Sequence, residues 1–205
     1  MQRAGRGRRG KSFLSPLGNI YLSVCWLTKR SPAELGALSL AMGVAVAETL
    51  ETVGVEVALK WPNDILFRDK KMAGILVETE KRDEAWMVVV GVGINVLLTP
   101  SHQESDRWTN VSQATRRVVD RNRLAGELIS RILVGLDLFD RKGFSAFRAR
   151  WNARHAMAGK RVRLTSEDHS TEGIALDVDE TGAFRLEIAG TTRSFVTGAL
   201  SLRLI

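Results

Sequence analysis

The sequence predicts an α+β fold followed by a small β-barrel. Residues 1–158 alternate strand-like runs with two long helical segments, whereas residues 159–205 hold five short alternating segments separated by Gly, Asp and Ser. Period-two runs between turn residues predict strands, and apolar residues spaced three and four apart predict helices. A chain of 205 residues, 44% hydrophobic and 26% charged, has the composition of a globular protein. We predict one domain over residues 1–158 and a second over residues 159–205.

The first part of the chain predicts a sheet and a buried helix. Residues 18–26 form a strand-like run, and Ser31, Pro32 and Glu34 supply a helix N-cap, a first-position proline and a capping box. The helix that follows, from Leu35 to Val53, is apolar nearly all round, which predicts burial. Asp69, Lys70 and Lys71 read as a hairpin turn. The remaining strand-like runs of this part are residues 57–61, 64–68, 72–80 and 86–96.

The second part of the chain predicts helices and then only strands. Residues 122–143 place Leu124, Leu128 and Ile132 at helical spacing, and residues 144–155 form a shorter helical segment. Five alternating segments then predict a small antiparallel barrel of about 45 residues. They are residues 160–166, 172–180, 183–190, 192–198 and 199–205.

The positive charge of the chain is confined to its start. The formal net charge is +7, and seven Lys or Arg residues precede Glu34 without any acid, while the remaining 23 basic residues balance all 23 acids. A protein that coats DNA spreads its basic residues over a face, so a local excess favours a small anionic ligand. The single cysteine, Cys25, excludes a disulfide within the chain and fits a reducing cytoplasm. No apolar run is long enough for a membrane span.

The opening "GRGRRG" is the first candidate binding segment. Arg6 and Arg8 alternate with glycines, so that the backbone can approach a ligand while two guanidinium groups converge on it. Guanidinium groups bind carboxylate and phosphate oxygens in bidentate fashion. On these residues alone a solvated basic terminus remains an alternative.

The second and third candidates lie at strand ends. In "KWPNDI", Lys60 ends an apolar strand and Pro62 turns the chain. A lysine in this position can present its ammonium group to a buried anion. A solvated lysine at a strand end is the alternative. In "GVGIN", Gly91 and Gly93 leave room for a nucleotide near Asn95. This is neither the dinucleotide fingerprint nor a phosphate-binding loop.

Other residue types give weaker indications. The chain has no Cys/His cluster with zinc spacing, and His102, His155 and His169 are scattered. Trp108, in a polar loop, is the one tryptophan placed to cover a bound base.

The order of these motifs resembles the biotin protein ligases. The motifs are "GRGRRG…SP.GN.Y.S", "KWPNDI…KMAGILVE", "VGVGIN" and a terminal segment ending "TGALSLR", and the resemblance covers nearly the whole chain. It implies a class II synthetase-like catalytic domain, with a mixed sheet and packed helices, and an SH3-like C-terminal barrel.

The resemblance also implies a reaction. The family makes biotinyl-5′-AMP from biotin and ATP, releases pyrophosphate, and passes biotin to a lysine of the biotin carboxyl carrier protein of a carboxylase. ATP and biotin are then substrates, Mg²⁺ accompanies ATP, and no protein side chain is assigned to the metal.

The family's site residues transfer to matching positions of this chain. Lys60 and Arg8 take the catalytic role, with Lys60 between the biotin carboxylate and the α-phosphate. Biotin binding falls on Gln2, Arg6, Gly7, Arg8 and Lys60. Adenylate binding falls on Arg6, Arg8, Lys60, Asn63, Asp64 and Asn95.

The chain departs from the family pattern in two places. Phe13 stands where many members have tryptophan, and the segment before the arginine loop, with its Ser-Thr-Asn motif, has no counterpart here. We therefore expect a fragment, or a start assigned too far downstream, with poor activity of its own. The winged-helix domain of some members is also absent, so DNA is not expected as a partner, nor is a membrane.

Alternatives to biotin ligation remain at this point. A lipoate or octanoate ligase or transferase is the nearest. A non-catalytic remnant that forms a homodimer through an exposed sheet edge is a second, and a nucleic-acid-binding module built on the basic loop is a third.

Overall fold

The chain folds into two five-stranded antiparallel sheets and a helical layer. The computed structural model describes residues 2, 5–10, 15–97, 107–166, 169–196 and 200–205. The helices are α1 (Leu38–Glu51), α2 (Val111–Thr115), α3 (Arg121–Lys142) and α4 (Ser145–Asn152). The strands of the first sheet are β1 (Ile20–Thr28), β2 (Ala58–Lys60), β3 (Asp64–Phe67), β4 (Lys70–Arg82) and β5 (Ala85–Ile94). The strands of the second sheet are β6 (Arg161–Thr165), β7 (Ser170–Val178), β8 (Phe184–Ile188), β9 (Thr191–Phe195) and β10 (Ser201–Leu204).

The predicted α+β class is confirmed, with one correction to the first sheet. Its strand order is β1-β5-β4-β3-β2, and every neighbouring pair among these described strands is antiparallel. A mixed sheet was predicted, and that part of the prediction is wrong. Helix α1 packs against this sheet and against α3 and α4. Because α1 is buried on nearly all sides, its all-round apolar sequence is explained.

The capping residues of the predicted first helix form a separate turn. Glu34 accepts hydrogen bonds from the backbone N–H and the hydroxyl of Ser31, both at 2.9 Å. They precede a 3₁₀ turn over Glu34–Ala37, and α1 begins only at Leu38 rather than at Leu35. The capping box was therefore located correctly, but the helix start was placed three residues too early.

The hairpin between β3 and β4 is tighter than the sequence suggested. Arg68 and Asp69 form the turn, both with positive φ (50° and 62°), and β4 already begins at Lys70. Lys70 and Lys71 are thus strand residues, not the turn residues that were predicted. The pairing also shifts, from Ile65 opposite Ala73 to Leu66 opposite Lys71, so that Met72 forms a β-bulge.

The C-terminal sheet packs directly on the first domain. Its strand order is β10-β6-β7-β8-β9, and the five strands fall on the five predicted segments. The Trp61 indole N–H donates to the Gly182 carbonyl at 3.3 Å, and the Trp61 and Phe184 rings lie 5.4 Å apart. Gly182 has φ +81°, and a Cβ there would lie 2.4 Å from that of Ala37, so only glycine allows this close approach. Among the described residues no helix is long and apolar enough to cross a membrane.

Candidate functional site

A cavity of about 580 Å³ opens on one face of the first sheet, and we call it the sheet cavity. Its floor contains Gly74, Gly91 and Gly93. The strand register places Tyr21 opposite Gly93, Gly93 opposite Gly74, and Gly74 opposite Asp64. Two adjacent glycines in one row across the sheet leave the space that side chains would otherwise fill.

The sheet cavity brings together six of the eight site residues predicted from the sequence. Asn63 enters from the turn between β2 and β3, Asp64 from the first position of β3, and the others from the N-terminal segment. The six are Gln2, Arg6, Gly7, Arg8, Asn63 and Asp64. A segment separated from the "KWPND" motif by about fifty residues of sequence thus lines the same space.

Hydrogen bonds fix the N-terminal segment against the sheet. The Ser15 hydroxyl donates to the Gln2 side chain at 2.7 Å, and Arg8 donates to the Asn63 amide oxygen at 3.4 Å. Asn63 in turn donates to the Ile75 carbonyl of β4 at 2.9 Å. Asn63 therefore links the arginine segment to the strand that forms the cavity floor. Phe13, which stands where many members of the family have tryptophan, lies outside the described residues, as does His102.

Lys60 lies beside the cavity, at the end of β2 and directly opposite Asp64. Burial lowers the pKa of Lys60, and the positive charges of Lys71 and Arg203 lower it further, while Asp64 opposes the shift. A half-buried ammonium with two cations nearby is an environment that an anionic ligand would stabilise.

Lys71 and Trp108 complete this corner of the cavity. The Lys71 ammonium lies 2.5 Å from the Asp64 carboxylate and 5.8 Å from the centre of the Trp108 ring. The backbone of Lys71 also bonds to the chain around Trp108: its N–H donates to Arg107 at 2.8 Å, and Thr109 donates to its carbonyl at 3.0 Å. Trp108 was singled out in the sequence, but Lys71 was missed because it was assigned to a turn.

Asn95 supports the Trp108 segment and does not line the cavity. It is 3% exposed, and its amide donates to the Thr109 carbonyl at 3.2 Å. Its backbone N–H donates to Met72, and its carbonyl accepts from Val111, both at 2.9 Å. These contacts join the end of β5, the bulge in β4 and the segment that carries Trp108. Direct contact of Asn95 with a nucleotide stays a prediction.

Two further contributors to the site were not found in the sequence. Tyr21 lines the cavity, donates to the Pro16 carbonyl at 3.1 Å, and has a pKa raised by burial. Ser201 of β10 also lines the cavity. The positive charge of Arg203, two residues later, lowers the pKa of Lys60. The last strand of the C-terminal sheet therefore reaches the cavity, which no local sequence pattern could reveal.

The arrangement suits an anionic ligand with a flat apolar part. Two guanidinium groups, the Lys71 ammonium, three strand glycines and an indole ring all line the same space. Within the described part of the chain, no three His, Cys, Asp or Glu side chains gather as a metal-binding group.

Comparisons with known proteins point to one family. The sequence model of the biotin/lipoate A/B protein ligase family matches residues 1–95, and that of the biotin protein ligase C-terminal domain matches residues 158–203. The chain is 38% identical to the bifunctional ligase/repressor BirA of Salmonella typhimurium, over 98% of this chain and 64% of that protein. It is 34% identical to the biotin–[acetyl-CoA-carboxylase] ligase of Mycobacterium tuberculosis, over 93% of this chain and 72% of that protein.

A solved structure agrees with these relatives. The biotin protein ligase from Aquifex aeolicus in complex with biotin and ATP has a TM-score of 0.87 and 30% identity, covering 100% of this chain and 86% of that one. The chain spans 64% of the length of both the Salmonella and the Escherichia coli BirA proteins.

Proposed function

The chain belongs to the biotin protein ligases, within the biotin/lipoate A/B protein ligase family, and we propose that it attaches biotin to a carboxylase carrier protein. The observation that carries the proposal is the sheet cavity, where residues from "GRGRRG" and "KWPND" line one space. The reaction takes two steps through biotinyl-5′-AMP, and the acceptor is a lysine of a biotin carboxyl carrier domain.

In the first step a carboxylate oxygen of biotin attacks the α-phosphorus of ATP. A P–O bond to the biotin carboxylate forms, the bond to the β-phosphate oxygen breaks, and pyrophosphate leaves. Two anions must approach each other, so cations that hold both lower the barrier most. We assign this role to Lys60 and Arg8; in support, Lys60 pairs with Asp64 and Arg8 donates to Asn63, so both lie next to the same two residues of the cavity wall.

In the second step the amine of the acceptor lysine attacks the acyl carbon of biotinyl-5′-AMP. A C–N bond forms, the C–O bond to phosphate breaks, and AMP leaves with its negative charge. The incoming amine must lose a proton, and the anhydride is already activated, so positioning is the main requirement. The cavity opens on the sheet face, and we propose that the acceptor lysine enters from that side.

The nucleotide end of the cavity is assigned to the corner around Trp108. Its indole ring offers a stacking surface for adenine. Asn63 and Asp64 line the adjoining wall, and Arg6 borders the same space. Mg²⁺ would enter with the phosphates of ATP.

Biotin is preferred over lipoate or octanoate as the acyl group for two reasons. The C-terminal match is to the biotin protein ligase domain, and the Aquifex structure at 30% identity carries biotin and ATP. Ser201 of the C-terminal sheet also lines the cavity, which supports a role for this sheet in ligand binding.

The test is biotin-dependent exchange of labelled pyrophosphate into ATP. Exchange at a low rate is expected from the chain, and Lys60→Ala should lower that rate at least about hundredfold further, because the lost charge acts in the transition state. Lys81→Ala, at the exposed far end of β4, is the matched control and should leave the rate unchanged.

The alternatives give different results in the same experiment. Exchange driven by lipoate or octanoate instead of biotin would move the assignment to those acyl groups. A different result would be that none of the three acids drives exchange, while the chain binds RNA or DNA with an affinity that falls with salt and survives Lys60→Ala. A nucleic-acid-binding function would then replace ligation. Absence of both activities would identify a non-catalytic member of the family.

A further inference from the structure

We propose that Lys71 binds the β- and γ-phosphates of ATP, the part that leaves as pyrophosphate. The inference rests on the proposed function and adds a residue to it. Lys60 would then serve the α-phosphate and the biotin carboxylate, and Lys71 the leaving group.

The bulge at Met72 is what turns Lys71 toward the cavity. In a regular strand, residues 71 and 74 point to opposite faces, since side chains alternate. The extra residue reverses this alternation, so that Lys71 and Gly74 share the cavity face. A Cβ placed on Gly74 would lie 3.1 Å from the Lys71 side chain and 3.2 Å from its ammonium. The ammonium therefore lies directly over the glycine floor.

The present partners of Lys71 can be exchanged for a ligand. Its side chain and that of Asp64 are 26% and 25% exposed, so the ion pair remains in contact with solvent. Partly exposed ion pairs contribute little net stability, and a phosphate competes effectively for such an ammonium. A base that stacks on the Trp108 face nearest Lys71 would take the space its ammonium occupies and direct it toward the phosphates.

The charge balance of this corner fits a polyanion. The positive charges of Lys71 and Arg203 lower the pKa of Lys60, and the single carboxylate of Asp64 raises it. Glu78, the other acid in the cavity lining, lies four residues along β4 from Gly74, about 13 Å away at strand spacing. The excess positive charge is thus concentrated where the triphosphate would lie.

The geometry also joins phosphate binding to base binding. The backbone of Lys71 forms two hydrogen bonds to the segment that carries Trp108, while its side chain faces the cavity. One residue therefore sets the distance between the stacking surface and the phosphate contact.

The experiment compares nucleotide affinities by calorimetric titration with ATP and with AMP, each with Mg²⁺. The proteins are the unmodified chain, Lys71→Ala, Lys71→Arg and the control Lys81→Ala. Lys71→Ala should weaken ATP binding roughly ten- to hundredfold and change AMP binding less than about twofold, because AMP lacks the β- and γ-phosphates. Lys71→Arg should restore most of the ATP affinity, since it keeps the charge.

Unchanged AMP binding also shows that the variant is folded. Equal losses for ATP and AMP, or no loss for either, would overturn the role of Lys71 while leaving ligation intact. If the unmodified chain binds neither nucleotide, the nucleotide site itself fails, and both proposals fall.

A second measurement separates the two steps. Lys71→Ala should slow pyrophosphate exchange but transfer biotin from preformed biotinyl-5′-AMP to the carrier at the normal rate, because no pyrophosphate is present in that step. Slowed transfer from the preformed adenylate would contradict a leaving-group role.

Discussion

At the scale of single residues, glycines shape the cavity as much as charged side chains do. Gly91 faces the cavity, and a Cβ there would meet nothing closer than the Leu76 carbonyl at 3.6 Å. The strand itself would therefore tolerate a side chain at this position. What a side chain would remove is ligand volume.

Gly91→Val tests this role. We expect the variant to fold with a thermal midpoint close to the parent, since valine favours strands, and to bind biotin at least about tenfold more weakly because its two methyl groups enter the cavity. The biotin affinity of Gly91→Ala should fall between those of the unmodified chain and Gly91→Val. Biotin titration checks the affinity and thermal unfolding checks the fold; a Gly91→Val chain that binds biotin normally would remove Gly91 from the site.

Some of the residues that line the sheet cavity were singled out in the sequence, and others were missed for a physical reason. Arg6, Arg8 and Asn63 belong to compact motifs, so they could be picked out as candidates from the local order of residues. Lys71 could not, because its orientation depends on a bulge set by pairing with β3. Arg203 depends on how the C-terminal sheet docks, which short-range patterns do not encode.

At the scale of elements, the segment 107–111 is held by neighbours rather than by its own propensity. It pairs with β4 at Lys71, and the buried Asn95 side chain donates to Thr109. Helix α2 then begins with Asn110 as its N-cap, accepting from the Gln113 N–H at 2.8 Å. The position of Trp108 is therefore fixed by β4, β5 and α2 together.

Asn95→Ala should loosen this segment. The change leaves the Thr109 carbonyl without its partner in a buried site, which we expect to cost about 1–3 kcal/mol of unfolding free energy and to weaken AMP binding through Trp108. Asn122→Ala, at an exposed position on α3, is the control and should change neither quantity. Denaturant unfolding and AMP titration measure both; intact AMP binding in Asn95→Ala would show that Trp108 does not need this support.

At the scale of the whole molecule, an aromatic cluster joins the two sheets behind Lys60. Trp61 contacts Phe184, and His155 lies 5.6 Å from Phe184 and 4.9 Å from Trp151. Leu59, on the other side of Lys60, bonds to the backbone of Arg154 at 2.7 Å and of Ala156 at 2.9 Å. Both neighbours of Lys60 are thus anchored, one of them by the C-terminal sheet, so the docking of this sheet helps to position Lys60.

This interface predicts a pH dependence of stability. Burial lowers the pKa of His155 from 6.5 to about 4; the Asp177 carboxylate and the Leu176 backbone oppose the shift, and Lys160 adds to it. The unfolded chain therefore takes up a proton at higher pH than the folded chain does. The unfolding free energy should fall as the pH drops from about 6.5 to about 4, by up to about 3 kcal/mol from this group.

Carboxylates also protonate in part of this range, so the measurement must isolate His155. His155→Gln lacks the titrating group, and its unfolding free energy should fall less steeply between pH 6.5 and 4 than that of the unmodified chain. The comparison uses the slope of the free energy against pH, which a uniform loss of stability in the variant does not change. Because the interface holds both neighbours of Lys60, pyrophosphate exchange should decline over the same range in the unmodified chain and less in His155→Gln. Parallel slopes for the two proteins would show that His155 titrates alike in the folded and unfolded states, and that the aromatic cluster does not exclude the proton.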